Sequence, residues 1–308
     1  MYRLEAGFAI PLEGNPIMRS WFASLLAAVV VLAAPVFAEG HGPALWKISG
    51  VGTTLYIFGS VHALKPGTSW LDDNLRQKIS SATAIYLEVP PGEQQPLFLG
   101  GLVLRYGFLA KGDSLRNHLP AEVYAEVGAA FRAHGMQEKI YGSFKPWTAD
   151  VTYVSVSFLD AGYKEEVGVE ATVAALAQAK GIHTGGLETA EFQISLFASL
   201  TDQEATQMLK EDLAEKDQVQ IVMDRLTKSW SSGDVADLAA YFDGVTMGDP
   251  KLQKKFITDR NAAWVPKIQA IMGKPGTYLV VVGTGHLVGP QSLIAMLRRA
   301  GLQVERVN

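Results

Sequence analysis

The sequence contains no cysteine in its 308 residues. Disulfides and thiolate metal ligands are therefore excluded, and any bound metal has to be held by histidine and carboxylate. Positive charge is also in short supply: 27 Lys and Arg stand against 31 Asp and Glu, a formal net charge of −4, with no Lys/Arg cluster. A chain so balanced lacks the electrostatic footprint that phosphate binding requires, so nucleic acid is not an expected partner. Low-complexity tracts are absent, and nothing repeats except one short motif. The longest apolar run, Trp21 to Ala34, falls short of the roughly 20 residues of a membrane span.

That run has another reading. Met18-Arg19 supplies a start and a charge, Trp21 to Ala34 an apolar core, and Val36-Phe37-Ala38 a small-residue cleavage site, so residues 1–38 read as an export signal. Glu5, Pro11 and Glu13 do not suit the charged start of a signal, which makes Met18 a candidate for the natural start. Membrane contact is expected only through an uncleaved signal. An exported chain without disulfides must be held by its core, and residues 39–308 suffice for one large domain.

The repeated motif lies at the two ends of that domain. Thr54-Leu55-Tyr56-Ile57-Phe58-Gly59-Ser60-Val61-His62 and Tyr278-Leu279-Val280-Val281-Val282-Gly283-Thr284-Gly285-His286 are each an apolar, strand-length run followed by G-x-x-H. Strands buried on both faces read this way, and ligands of open α/β sheets bind beyond the carboxyl ends of such strands. Gly50-Val51-Gly52 reads as a hairpin turn, and further strands are expected at Ala84–Val89, Ile182–Leu187 and Gln303–Val307. Helical spacing marks 70–82, 120–133, 146–159, 167–179, 190–200, a long polar stretch 202–230, 249–272 and 287–300. The helices between about 93 and 273 are inserted between sheet strands and could cap the strand ends.

Position sorts the six histidines. His41, His118, His134 and His183 sit at a terminus, in a loop, at a helix end and at a strand start, which suits packing or solvation. His62 and His286 each follow a glycine turn at a strand end, where backbone can approach a ligand. His286 also opens the expected helix 287–300, whose dipole would keep its ring neutral. Glu88 and Glu188 end two further strands. Two histidines and one glutamate form a ligand set with room for a water, whose pKa a divalent ion lowers. The structural alternative has both glutamates capping helices or pairing with cations such as Arg260.

Taken in order, these residues resemble the TraB/GumN family, related to the TIKI metalloproteases and more distantly to erythromycin-esterase-like and ChaN-like proteins. The resemblance spans 44–308 and rests on Leu45-Trp46-Lys47-Ile48, the first G-x-x-H run, Leu87-Glu88-Val89, Lys145-Pro146-Trp147, Gly168-Val169-Glu170, Gly186-Leu187-Glu188-Thr189 with Gln193, Arg260-Asn261 with Trp264, and Val282 to Leu287. It implies an α/β (α+β) fold, a central mixed sheet flanked by helices with a helical insertion capping the strand ends.

It also implies a site: His62, His286 and Glu88 on a divalent metal (Mn, Co or Zn), Glu188 as second carboxylate, and Arg260 as an electrophilic or carboxylate-binding group. Gly59, Ser60, Gly283, Thr284, Gln193 and Asn261 would surround the substrate. The implied activity is a metal-dependent, peptidase-like hydrolase acting on a peptide or small molecule, exported to the periplasm of a Gram-negative bacterium. Two departures bear on metal binding. Val89-Pro90 follows Glu88 where many relatives place a second acid, and Glu170 stands where many have Asp. The competing reading is a periplasmic binding protein for a peptide, saccharide or haem-like ligand, walled by Tyr56, Phe58, Trp147 and Trp264.

Overall fold

The computed structural model describes residues 42–245 and 249–308. The signal reading of residues 1–38 and His41 lie outside these described residues. Strands β1 (Leu45–Gly50) and β2 (Thr53–Ser60) form the expected hairpin, turning at Gly52, whose φ of 72° lies in the left-handed region. The remaining strands are β3 (Ala84–Leu87), β4 (His183–Gly186), β5 (Gly276–Gly283) and β6 (Val304–Arg306). Their order across the sheet is β4-β3-β5-β2-β1-β6. The first four run parallel, while β1 is antiparallel to both β2 and β6, so the sheet is mixed.

The helices are α1 (Asp73–Ser80), α2 (Pro96–Tyr106), α3 (Ala121–Ala133), α4 (Glu138–Tyr141), α5 (Pro146–Asp160), α6 (Val169–Lys180), α7 (Ala190–Ala198), α8 (Asp202–Ala214), α9 (Val219–Ser232), α10 (Val235–Val245), α11 (Pro250–Gln253), α12 (Asp259–Met272) and α13 (Leu293–Arg299). Strand alternation divides the core. Val280 and Val282 of β5 face Trp264 and Ile268 of α12 and Leu293 and Leu297 of α13. Leu279 and Val281 face Leu75 and Ile79 of α1 and Val169 and Val173 of α6. A separate apolar cluster joins Val127 and Phe131 of α3, Ala149 and Tyr153 of α5, and Leu209 and Leu213 of α8, so the helical insertion carries its own core.

Two expected helices differ. The stretch 202–230 is broken at the exposed turn Glu215 to Gln218. The break redirects the chain: Leu209 and Leu213 pack in the insertion, whereas Trp230 packs against the sheet. The helix expected from 287 begins only at Leu293, because Gly289 takes φ 81° and Pro290 follows it. His286 therefore sits in a 3-10 turn, Thr284–His286, and no long helix dipole acts on it. Helices α2, α4 and α10 lie outside the stretches marked by helical spacing, and in α2 Gly100-Gly101 lowers the propensity.

Candidate functional site

The parallel strands deliver their carboxyl ends to one edge of the sheet. Reading across β4-β3-β5-β2, the residues just beyond those ends are Glu188, Glu88, the Gly283–His286 turn and His62. Register keeps them level: Leu87 pairs with Gly186 on one side and Val281 on the other, and Ser60 pairs with Gly283.

Glu88 and Glu188 are joined through Arg260. Its Nη2 donates to Glu88 Oε2 and to Glu188 Oε1, each at 2.5 Å, and its Nε donates to Glu188 Oε1 at 3.0 Å. Nη1 donates to the Phe256 carbonyl at 3.0 Å and meets His286 Nε2 at 3.0 Å. Arginine only donates, so His286 Nε2 must accept, and its proton lies on Nδ1, which donates to Asn261 Oδ1 at 2.8 Å. Arg260, Asn261 and Trp264 reach this cluster from one face of α12, just after a π-helical turn, Lys254–Thr258. Trp264 packs on the His286 ring with centroids 4.5 Å apart and donates Nε1 to Glu188 Oε2. Gln193 of α7 bridges Glu88 Oε2 and Glu188 Oε1 at 3.0 and 2.8 Å.

These contacts set the charges. Burial and the Arg260 guanidinium outweigh the pull of Glu88 and push His286 down to about 4, so its ring is neutral at neutral pH. Burial opposes charge on Glu88, but the positive groups around it (His286 when protonated, Arg260 and His62), with the Gly283 N–H at 2.6 Å from Oε1, bring it down to about 2.

His62 is treated differently. Its Nδ1 lies 2.7 Å from Glu170 Oε1, and Glu170 occupies the first turn of α6. The approach of this turn depends on Gly168, where a Cβ would overlap the His62 carbonyl oxygen, and on Val169 N–H donating to Val61 O at 3.1 Å. The Glu170 carboxylate raises His62 to about 9. The ring is nevertheless 72 % exposed, so water weakens the pairing. His62 lines a cleft of about 980 Å³ between the strand ends and the helical insertion.

Gly283 is the meeting point. A Cβ there would lie 3.2 Å from Glu88 Oε1, 3.6 Å from His286 Cδ2 and 4.0 Å from His62 Nε2. A profile of the TraB/PrgY/gumN family matches residues 44–306, which include every residue of this constellation. The chain belongs to the TraB/PrgY/gumN family. It is also similar to an uncharacterised protein, YbaP, of Escherichia coli (strain K12) and of Shigella flexneri. Each shares 21 % identity over 246 residues, 79 % of this chain and 87 % of the relative. No solved structure matches.

In this TraB-family chain the expected residues fall into two layers. His62, Glu88 and Gln193 line the cleft. Behind them, Arg260 and Asn261 are buried and spend their donors within the protein, and Glu188 is fully bonded. Ser60 and Thr284 lock β2 to the β5 turn, Thr284 Oγ1 donating to Ser60 O, while the Gly59 carbonyl joins β2 to α9 by accepting from Trp230 Nε1. Phe58, Trp147 and Trp264 are buried in the protein, and neither they nor Tyr56 line the cleft. The structural alternative for the glutamates, pairing with Arg260, is the arrangement found. Glu170, noted in the sequence only as a departure, is the partner of His62; its quoted Gly168-Val169-Glu170 motif was the available signal.

The donor set bears on a metal. Both His286 ring nitrogens are engaged, one of them facing a guanidinium, while His62 Nε2 and one lone pair of Glu88 Oε1 remain. Among the described residues no group of three or more His, Cys, Asp and Glu is arranged to hold a metal ion. A catalytic divalent site with three protein ligands does not fit this arrangement unless His286 parts from Arg260.

Proposed function

We propose that this chain is a hydrolase of peptide-like substrates in which His62 and Glu88 handle the protons. One observation carries the reading: an imidazole whose Nδ1 lies 2.7 Å from Glu170 Oε1 stands beside the Glu88 carboxylate in the lining of a roomy cleft. In hydrolysis, water adds to the scissile carbonyl and yields a proton to Glu88. The C–N bond then breaks as His62 Nε2 protonates the leaving amine. An imidazolium raised to about 9 suits the donor role at neutral pH. Glu88, near 2, is a weak base, so the orienting bonds from Arg260, Gln193 and the Gly283 N–H matter for its position. Arg260 acts here as a positioning residue.

A second reading retains the divalent ion. Its support is the convergence of His62, Glu88 and His286 around Gly283, with Glu170 behind His62 as carboxylates often stand behind metal-binding histidines. Export belongs to either reading, on the signal read in residues 1–38.

The test is turnover of a fluorogenic peptide library by wild type and by His62→Ala, with chelator or with added Mn²⁺. Cleavage that survives chelator and falls about 100-fold or more in the variant supports proton transfer. Cleavage that needs Mn²⁺ favours the second reading. Absence of turnover with saturable peptide binding sinks both and leaves a binding protein.

A further inference from the structure

The cleft has a charge pattern that the hydrolytic residues do not explain. Of its 24 lining residues, six are carboxylic acids (Glu88, Asp150, Glu165, Glu166, Glu170 and Asp212), and none is Lys or Arg. Glu88 is answered by Arg260 and Glu170 by His62. Among the described residues, no cation answers Asp150.

Asp150 lies in α5, with only 3 % of its surface exposed, and its Oδ1 has no hydrogen-bond partner. The group beside it is another acid, Asp212 of α8, with Glu211 also acting on it. Burial and the neighbouring acids raise Asp150, and burial raises Asp212 as well, so the pair resists full ionisation. Buried carboxylates ordinarily have a cation or a full set of donors, and among the described residues Asp150 has neither. Around it the cleft wall is apolar, with Val151, Val154 and Phe158 on α5 and Met208 on α8.

We propose that Asp150 and Asp212 form a subsite for an organic cation of the substrate, a lysine- or arginine-type side chain or an alkyl amine. The carboxyl pair meets the charged head, and Val151, Val154, Phe158 and Met208 enclose the methylene stem. A metal ion is the poorer occupant, because hard cations take six or more oxygens and the apolar wall offers none. The remaining acids, Glu165 and Glu166, draw cations toward the cleft. This assignment rests on the cleft being the substrate site, but it concerns recognition and can be read without turnover.

The experiment uses the full chain in the presence of chelator and two blocked pentapeptides that differ at one residue, lysine in one and uncharged norleucine in the other. Binding is measured by calorimetry for wild type, Asp150→Asn, Asp212→Asn and the double variant, and cleavage is followed separately by chromatography. The lysine peptide should bind wild type at least tenfold more tightly than the norleucine peptide, and the double variant should bring the two within twofold. Both substitutions are isosteric, and thermal melting checks that the variants fold; Met208→Glu, which adds a carboxylate to the wall, should raise the lysine preference. Equal binding of the two peptides, binding of neither, or a lysine preference that survives the double substitution overturns the proposal. Failure to cleave either peptide bears on the hydrolase reading alone.

Discussion

Replacing Arg260 by methionine keeps the length of the side chain and removes the charge. The two carboxylates it joins, Glu88 and Glu188, lie 2.5 Å from its Nη2 and have side chains only 11 % and 5 % exposed. Truncating one partner of such a buried pair costs about 3–5 kcal/mol, because the remaining charges stay buried without compensation. For a domain of this size that amounts to roughly 6–10 °C in melting temperature. The loss should depend on pH in a defined sense. In wild type, Glu88 is depressed to about 2 from 4.5, so its stabilisation is present above pH 4.5 and is lost as pH falls toward 2. In the variant, burial is no longer outweighed by Arg260, the carboxyl pKa rises, and acid relieves the repulsion. Urea unfolding followed by tryptophan fluorescence should give the full difference at pH 8 and a smaller one at pH 5. A difference below about 1 kcal/mol at pH 8, or one that grows toward pH 5, would refute the buried-cluster account.

Nuclear magnetic resonance titration of His62 should give a pKa near 9 in wild type, and Glu170→Gln should bring it back toward 6.5. The stabilisation from that pair is complete below pH 6.5 and lost as pH rises through about 9; a wild-type value below 7 contradicts the pairing. Gly168→Ala should destabilise by about 1–3 kcal/mol and shift the His62 resonance, because the new methyl meets the His62 carbonyl; a neutral effect on both would place the turn elsewhere. Asp150→Asn should raise stability at pH 8. A carboxyl raised above its ordinary value by burial subtracts stability as pH climbs, and chemical denaturation at pH 5 and 8 measures the difference.

The legible part of this protein was the part with local grammar. G-x-x-H after a β-branched run located β2 and β5 and placed His62 and His286 at their ends, and Glu88 and Glu188 could be recognised as strand-end acids in the same way. The roles diverged because they depend on contacts between distant segments. Nothing local to His286 shows that Arg260 will face its Nε2, and this contact, with burial, replaces the expected helix dipole as the reason its ring is neutral. Glu170 looked like a substitution in a motif until α6 brought it against His62. Asp150 and Asp212 sit in amphipathic helices, where an acid reads as part of a solvated face; only the packing of α5 on α8 turns them inward.

The sheet order also bears on timing. Strand β5 lies between β2 and β3, although it comes nearly 190 residues after β3 in the chain. Until residues 276–283 have been made, β2 and β3 have no strand between them, and His62 and Glu88 have no common floor. Helices of the insertion can form early from local contacts, but closure of the sheet depends on pairings of very large sequence separation, which form slowly. The site therefore cannot be assembled before β5 is in place, and a chain cut short before β5 contains most of the named residues without the geometry that unites them.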